Sequence, residues 1–133
     1  MDSKKILQAI ILVAALIPAY VGISGIVEGV ANVMPGGQVA VDIDNEYRFL
    51  SGAFLGFAFM AVWVAPRIDQ KATVWPFRLL CFGILAGAIG RIVSIAVVGK
   101  PSTSILLSLG IELTFPLLIF WQNALIKQNE AEG

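Results

Sequence analysis

The sequence contains no histidine and a single cysteine, Cys81. Without histidine the chain lacks the commonest metal ligand and the commonest acid/base group near neutral pH. One thiol cannot close an internal disulfide, and there is no C-x-x-C pair for dithiol redox chemistry or thiolate metal clusters. No metal site and no cofactor are expected. Charge is scarce too, at 14% of residues, against about 25% in an ordinary soluble domain. The nine basic and nine acidic side chains cancel, so no global field draws the chain to nucleic acid. The glycines form neither G-x-G-x-x-G nor a P-loop, which removes support for nucleotide binding.

What the chain has in quantity is apolar sequence, 58% of its residues. A soluble domain this apolar would expose large adhesive patches. A lipid bilayer is the solvent that suits it, and crossing one takes about 20 mostly apolar residues. Four stretches qualify, at about 6–30, 47–66, 78–99 and 103–125. The second has a short apolar centre, Phe49 to Val64, which recruits Tyr47, Arg48, Ala65 and Pro66. The expectation is one all-α domain over residues 1–133, a transmembrane four-helix bundle. The breaks between spans carry turn chemistry: Pro35-Gly36-Gly37 in the first, Pro66 and Pro76 around the second, Gly99-Lys100-Pro101 in the third. Pro18 and Pro116 lie inside spans, where they can kink a helix. The first apolar run is too long for a signal peptide and is read as a retained span.

Four spans place both termini on one side. Lys4, Lys5, Arg67, Lys71, Arg78 and Lys127 fall on that side, and only Arg48 and Lys100 on the other. The positive-inside rule makes the first side cytoplasmic, and Trp63, Trp75 and Trp121 collect near the same boundary. A multi-pass protein of the cell inner membrane, with cytoplasmic N and C termini, is the expectation.

Arg91 and Glu112 stand inside apolar runs, where an isolated charge costs at least about 2.5–3.5 kcal/mol at the bilayer centre. At 1.5 Å per residue Arg91 lies about 12 Å and Glu112 about 15 Å below the outer boundary, and the tight turn makes their spans an antiparallel hairpin. The two are expected to pair. Glu28, Glu46 and Arg48 form a shallower set, with Glu28 in reach of Arg48 or Arg91. Small and hydroxylated residues at i±3 and i±4 share a face with each charge: Ser24 and Gly25, Ser51 and Gly52, Gly87 and Ser94, Ser108. Such residues mark close helix contact in membranes. The expected site is therefore a buried charged cluster in the outer half of the bundle: Glu28, Glu46, Arg48, Arg91, Ser94 and Glu112.

Such a cluster can fix helix register, or it can bind a small ligand or lipid headgroup. It could also contact a membrane partner or a second copy of the chain. An oligomeric small-solute transporter is one alternative. Another is an enzyme on a lipid or quinone-like substrate, with Glu28 or Glu112 as base and Arg91 stabilising negative charge. No catalytic residue stands out, and a non-enzymatic role is expected. Cys81 reads as a small buried apolar side chain.

The blocks "EYRFLSG", "RIVSIAVVGKP" and "IELTFP" resemble an uncharacterised family of small bacterial four-span membrane proteins, a domain of unknown function. The matching positions are Glu46, Arg48, Phe49 and Gly52, then Arg91, Ser94, Gly99 and Pro101, then Glu112. In architecture alone the chain is also similar to DoxX-type proteins. The resemblance implies an integral membrane protein and supplies no reaction.

Overall fold

The computed structural model describes residues 2–132, and the protein is all-α. Five α-helices follow one another: α1 (Ser3–Glu28), α2 (Val41–Val64), α3 (Val74–Val98), α4 (Thr103–Thr114) and α5 (Leu118–Glu132). With their adjoining 3-10 turns they make four segments long and apolar enough to cross a membrane: Ser3–Asn32, Val41–Arg67, Lys71–Val98 and Thr103–Ala131. The chain is a multi-pass membrane protein. Its contacts gather into two compact units. One holds Gln8–Pro66, the other residues 2–7 and 67–132.

In the Gln8–Pro66 unit, α1 runs through Pro18 as one helix. Pro18 costs one backbone donor, and in an apolar setting the neighbouring turns hold the rest of the ladder. Helix α2 starts at Val41 rather than near 47, because Asp42 and Asp44 occupy its first turn. Carboxylates there meet the positive end of the helix dipole. The acidic residues Asp42, Asp44 and Glu46 are therefore helical. Close packing centres on Gly22 and Gly25 of α1. A methyl on Gly22 would lie 2.7 Å from Leu55 Cγ and 2.9 Å from the Ser51 carbonyl, and one on Gly25 would lie 2.8 Å from Ser51 Cβ. Ser51 is buried, and its hydroxyl donates to the Tyr47 carbonyl at 2.7 Å.

Two expected helix contacts, at Gly52 and Gly87, are corrected. A methyl on Gly52 or Gly56 of α2, or on Gly87 of α3, would meet nothing within 4 Å. Of the small residues beside each charge, Gly25 and Ser51 face a helix neighbour while Gly52 and Gly87 do not. Spacing alone assigns a face; it does not say which face is covered.

In the other unit, α3 buries Phe77, Leu80, Cys81 and Ala88. Cys81 is a fully buried free thiol whose Sγ lies 3.9 Å from the Phe115 carbonyl. Gly99 ends α3 at φ +116°, a left-handed conformation that favours glycine. Pro101 follows, and α4 begins at Thr103. The fourth span is not one helix. A 3-10 turn at Phe115–Leu117 separates α4 from α5. Pro116 has no N–H for the Glu112 carbonyl four residues back. The amide of Phe115 bonds to the carbonyls of Ile111 and Glu112 instead.

Candidate functional site

The sequence-predicted residues divide between the two units. Glu28, Glu46 and Arg48 belong to Gln8–Pro66, and Arg91, Ser94 and Glu112 to the other.

Arg48 lies on the second turn of α2. Its Nε donates to Asp44 Oδ2 at 2.8 Å, one turn back on the same face. Its Nη1 donates to the carbonyls of Ile26 and Val27 in the last turn of α1. The other oxygen of Asp44 accepts the Val30 amide at 2.9 Å. A cation on exposed helix-end carbonyls and a carboxylate on a free amide are both favourable end caps. Gly29, at φ +64°, makes room for this clasp: a methyl there would overlap Asp44 Oδ1 and Arg48 Nη2. The acid that holds Arg48 is thus Asp44, not Glu28 or Glu46. Residues four apart on a helix are neighbours and residues two apart are not, which rules out Glu46 by geometry. Glu28 and Glu46 are exposed, and neither makes an ion pair among the described residues.

Arg91 on α3 faces Glu112 on α4. Nε stands 3.1 Å from Oε2, yet Oε2 accepts no hydrogen bond. The contact is an ion pair whose donor is not aligned on its acceptor. Ser108 Oγ donates to the other oxygen, Oε1, at 2.9 Å from one turn back on α4. Glu112 Oε2 is inaccessible, while the Arg91 side chain is 36% exposed. None of the guanidinium N–H groups is hydrogen-bonded to a described residue. Ser94, one turn further along α3, is exposed and its hydroxyl has no partner among the described residues.

The expectation of a buried charged cluster is corrected here. No charged side chain among the described residues is buried; the buried polar ones are Ser51, Thr73 and Gln122. Arg and Glu are long enough to sit on helix flanks and keep their ends at the surface. The two arginines differ in kind. Arg48 has its Nε and Nη1 committed to holding helix ends together, whereas Arg91 is neutralised but leaves its donors open.

A second polar centre escaped the sequence reading. Gln122 of α5 is fully buried, and its Nε2 donates to the Ile68 carbonyl and Thr73 Oγ1, both at 3.2 Å. Thr73 Oγ1 in turn lies 2.9 Å from the Arg67 carbonyl and 2.8 Å from that of Gln70. Lys4 reaches Asp69 at 2.7 Å, Trp121 Nε1 donates to Ser3 Oγ at 2.8 Å, and Asn129 donates to the Asp69 carbonyl. Arg78 donates to Asn123 and lies against the Trp75 ring. This network fastens the connection between α2 and α3. Its signal in the sequence is the Gln122-Asn123 pair interrupting "LLIFWQNALI". No group of His, Cys, Asp and Glu among the described residues could hold a metal ion.

The family model described as "Domain of unknown function (DUF4345)" matches residues 6–122. No curated protein and no solved structure matches the chain.

Proposed function

Because the chain belongs to this family of unknown function, we propose its role from its own residues: a non-enzymatic inner-membrane protein that binds a small ligand or lipid headgroup at the Arg91–Glu112 pair. One observation carries the reading. Arg91 stands in an apolar span with its charge neutralised at 3.1 Å and its hydrogen-bond donors unused by the protein. A purely structural pair would close those bonds, since an unmet donor in hydrocarbon is costly. Arg48, with its Nε and Nη1 committed to Asp44 and the carbonyls of Ile26 and Val27, is what the structural case looks like.

The orientation proposed is cytoplasmic for both termini. It is supported by the bias of Lys and Arg toward one set of span ends, including Lys4, Arg67, Lys71 and Arg78. The bilayer is then the first partner, and a second copy or another membrane protein the next.

The test is lipid-retaining mass spectrometry of the purified protein beside the double variant Arg91→Ala, Glu112→Ala. The expected result is a small molecule held by the natural protein and lost from the variant. An identical bound mass in both, or none in either, would remove the reading.

A further inference from the structure

We propose that Arg91 and Ser94 form a binding site for a singly charged oxyanion, a carboxylate or phosphate group borne by a lipid-like molecule or free in solution. The inference rests on the ligand-binding reading above and supplies its chemistry.

A guanidinium offers five N–H donors in a planar fork and a serine hydroxyl one more. Arg91 spends none of its donors on the described residues. Its Nε approaches Glu112 Oε2 at 3.1 Å without hydrogen-bond alignment. The Ser94 hydroxyl is likewise unspent, and three residues along a helix puts it beside Arg91 on one side of α3. The backbone before Arg91 is bare. Methyl groups added at Gly87 and Gly90 would meet nothing within 4 Å. Donors gathered around open space call for an acceptor. The group that matches a planar fork with two parallel bonds is an oxyanion.

Glu112 sets the charge of that ligand. One of its oxygens is held by Ser108 and the other is inaccessible, so the carboxylate neutralises Arg91 from behind and leaves the outer edge to the ligand. The pair sums to zero. A monoanion brings the site to one negative charge and a dianion to two, and the expense of charge in an apolar layer rises steeply with its size. Singly charged ligands are therefore selected.

The experiment uses the purified full-length protein, with oleate and inorganic phosphate as separate probes, read by native mass spectrometry. Variants Arg91→Lys and Ser94→Ala are compared with the natural protein, and circular dichroism checks that each is folded. Arg91→Lys keeps the charge facing Glu112 but loses the fork. The natural protein should hold one probe per chain. Apparent affinity should fall about tenfold or more in Arg91→Lys, the scale of a lost charge-assisted hydrogen bond, and severalfold in Ser94→Ala. Binding of oleate but not phosphate assigns a lipid-like ligand; phosphate alone assigns the free anion. Unchanged binding in Ser94→Ala and Arg91→Lys overturns the site. A bound molecule without an oxyanion, retained through Arg91, overturns this inference and leaves ligand binding standing. Empty natural protein that takes up neither probe overturns both.

Discussion

Asp44 divides its two carboxylate oxygens between Arg48, one turn further along the same helix, and the amide of Val30 beyond the end of α1. Glycine at position 29 is the condition for that arrangement. Its φ of +64° is left-handed, and any methyl would strike the pair. Gly29→Ala should lower stability by more than the about 1–2 kcal/mol of a left-handed L-residue, because the clasp must open as well. Unfolding followed by circular dichroism in micelles measures it, and a variant as stable as the natural protein would contradict the clasp.

Arg91 and Glu112 neutralise each other from neighbouring helices. Arg91→Ala leaves a carboxylate with an inaccessible oxygen and no counter-charge. Its loss should stay below the about 3–5 kcal/mol of a fully buried broken pair, since the arginine is 36% exposed. The double variant Arg91→Ala, Glu112→Ala should recover most of that loss. Equal destabilisation of single and double variants in the same unfolding assay would mean the two residues are not coupled.

Glycines of α1 and α2 should respond in opposite directions. Gly22→Ala pushes a methyl against the fixed carbonyl of Ser51 and should cost about 1–3 kcal/mol, as overpacking does. Gly52→Ala enters open space and should gain up to about 1 kcal/mol from helix propensity. Thermal midpoints of the two variants, measured side by side, report the sign of each.

Gln122→Leu removes the donor to the Ile68 carbonyl and to Thr73 Oγ1. A buried acceptor left without its donor costs about 1–3 kcal/mol. The connection between α2 and α3 should loosen, and trypsin should cut after the exposed Lys71 faster than in the natural protein. An unchanged cleavage rate would show that the connection is held by other contacts.

Orientation can be read with a membrane-impermeant maleimide on intact cells. In a Cys81→Ser background, Lys100→Cys should label and Gln70→Cys should label only after the membrane is opened. The reverse pattern would invert the proposed topology.

The four spans were legible because apolar runs of sufficient length have few other uses. The Arg91–Glu112 pair was legible because the Gly99-Lys100-Pro101 turn fixes a short antiparallel hairpin, and depth then follows from helical rise. The partner of Arg48 was misread. Asp44 lies one helical turn before it, on its face, and Glu46 does not. The inward placement of the charges was also misread, since composition gives the energetic penalty of a charge in lipid but not the length over which a side chain can evade it. The contact at Gly22 and Gly25 could not be told from the bare surface at Gly52 and Gly87. All are small residues at helical spacing, and only a neighbour's presence separates them. Gln122 went unnoticed because an uncharged amide barely disturbs an apolar run, though its partners are 54 and 49 positions away.

The bonds from Ser3 to Trp121 and from Lys4 to Asp69 join residues 118 and 65 positions apart. At about 5–20 residues per second of synthesis, on the order of ten seconds separate the emergence of Ser3 from that of Trp121. The segment holding Ser3 and Lys4 can therefore be fastened to Asp69 before α3 is made, and to Trp121 only once the fourth span arrives.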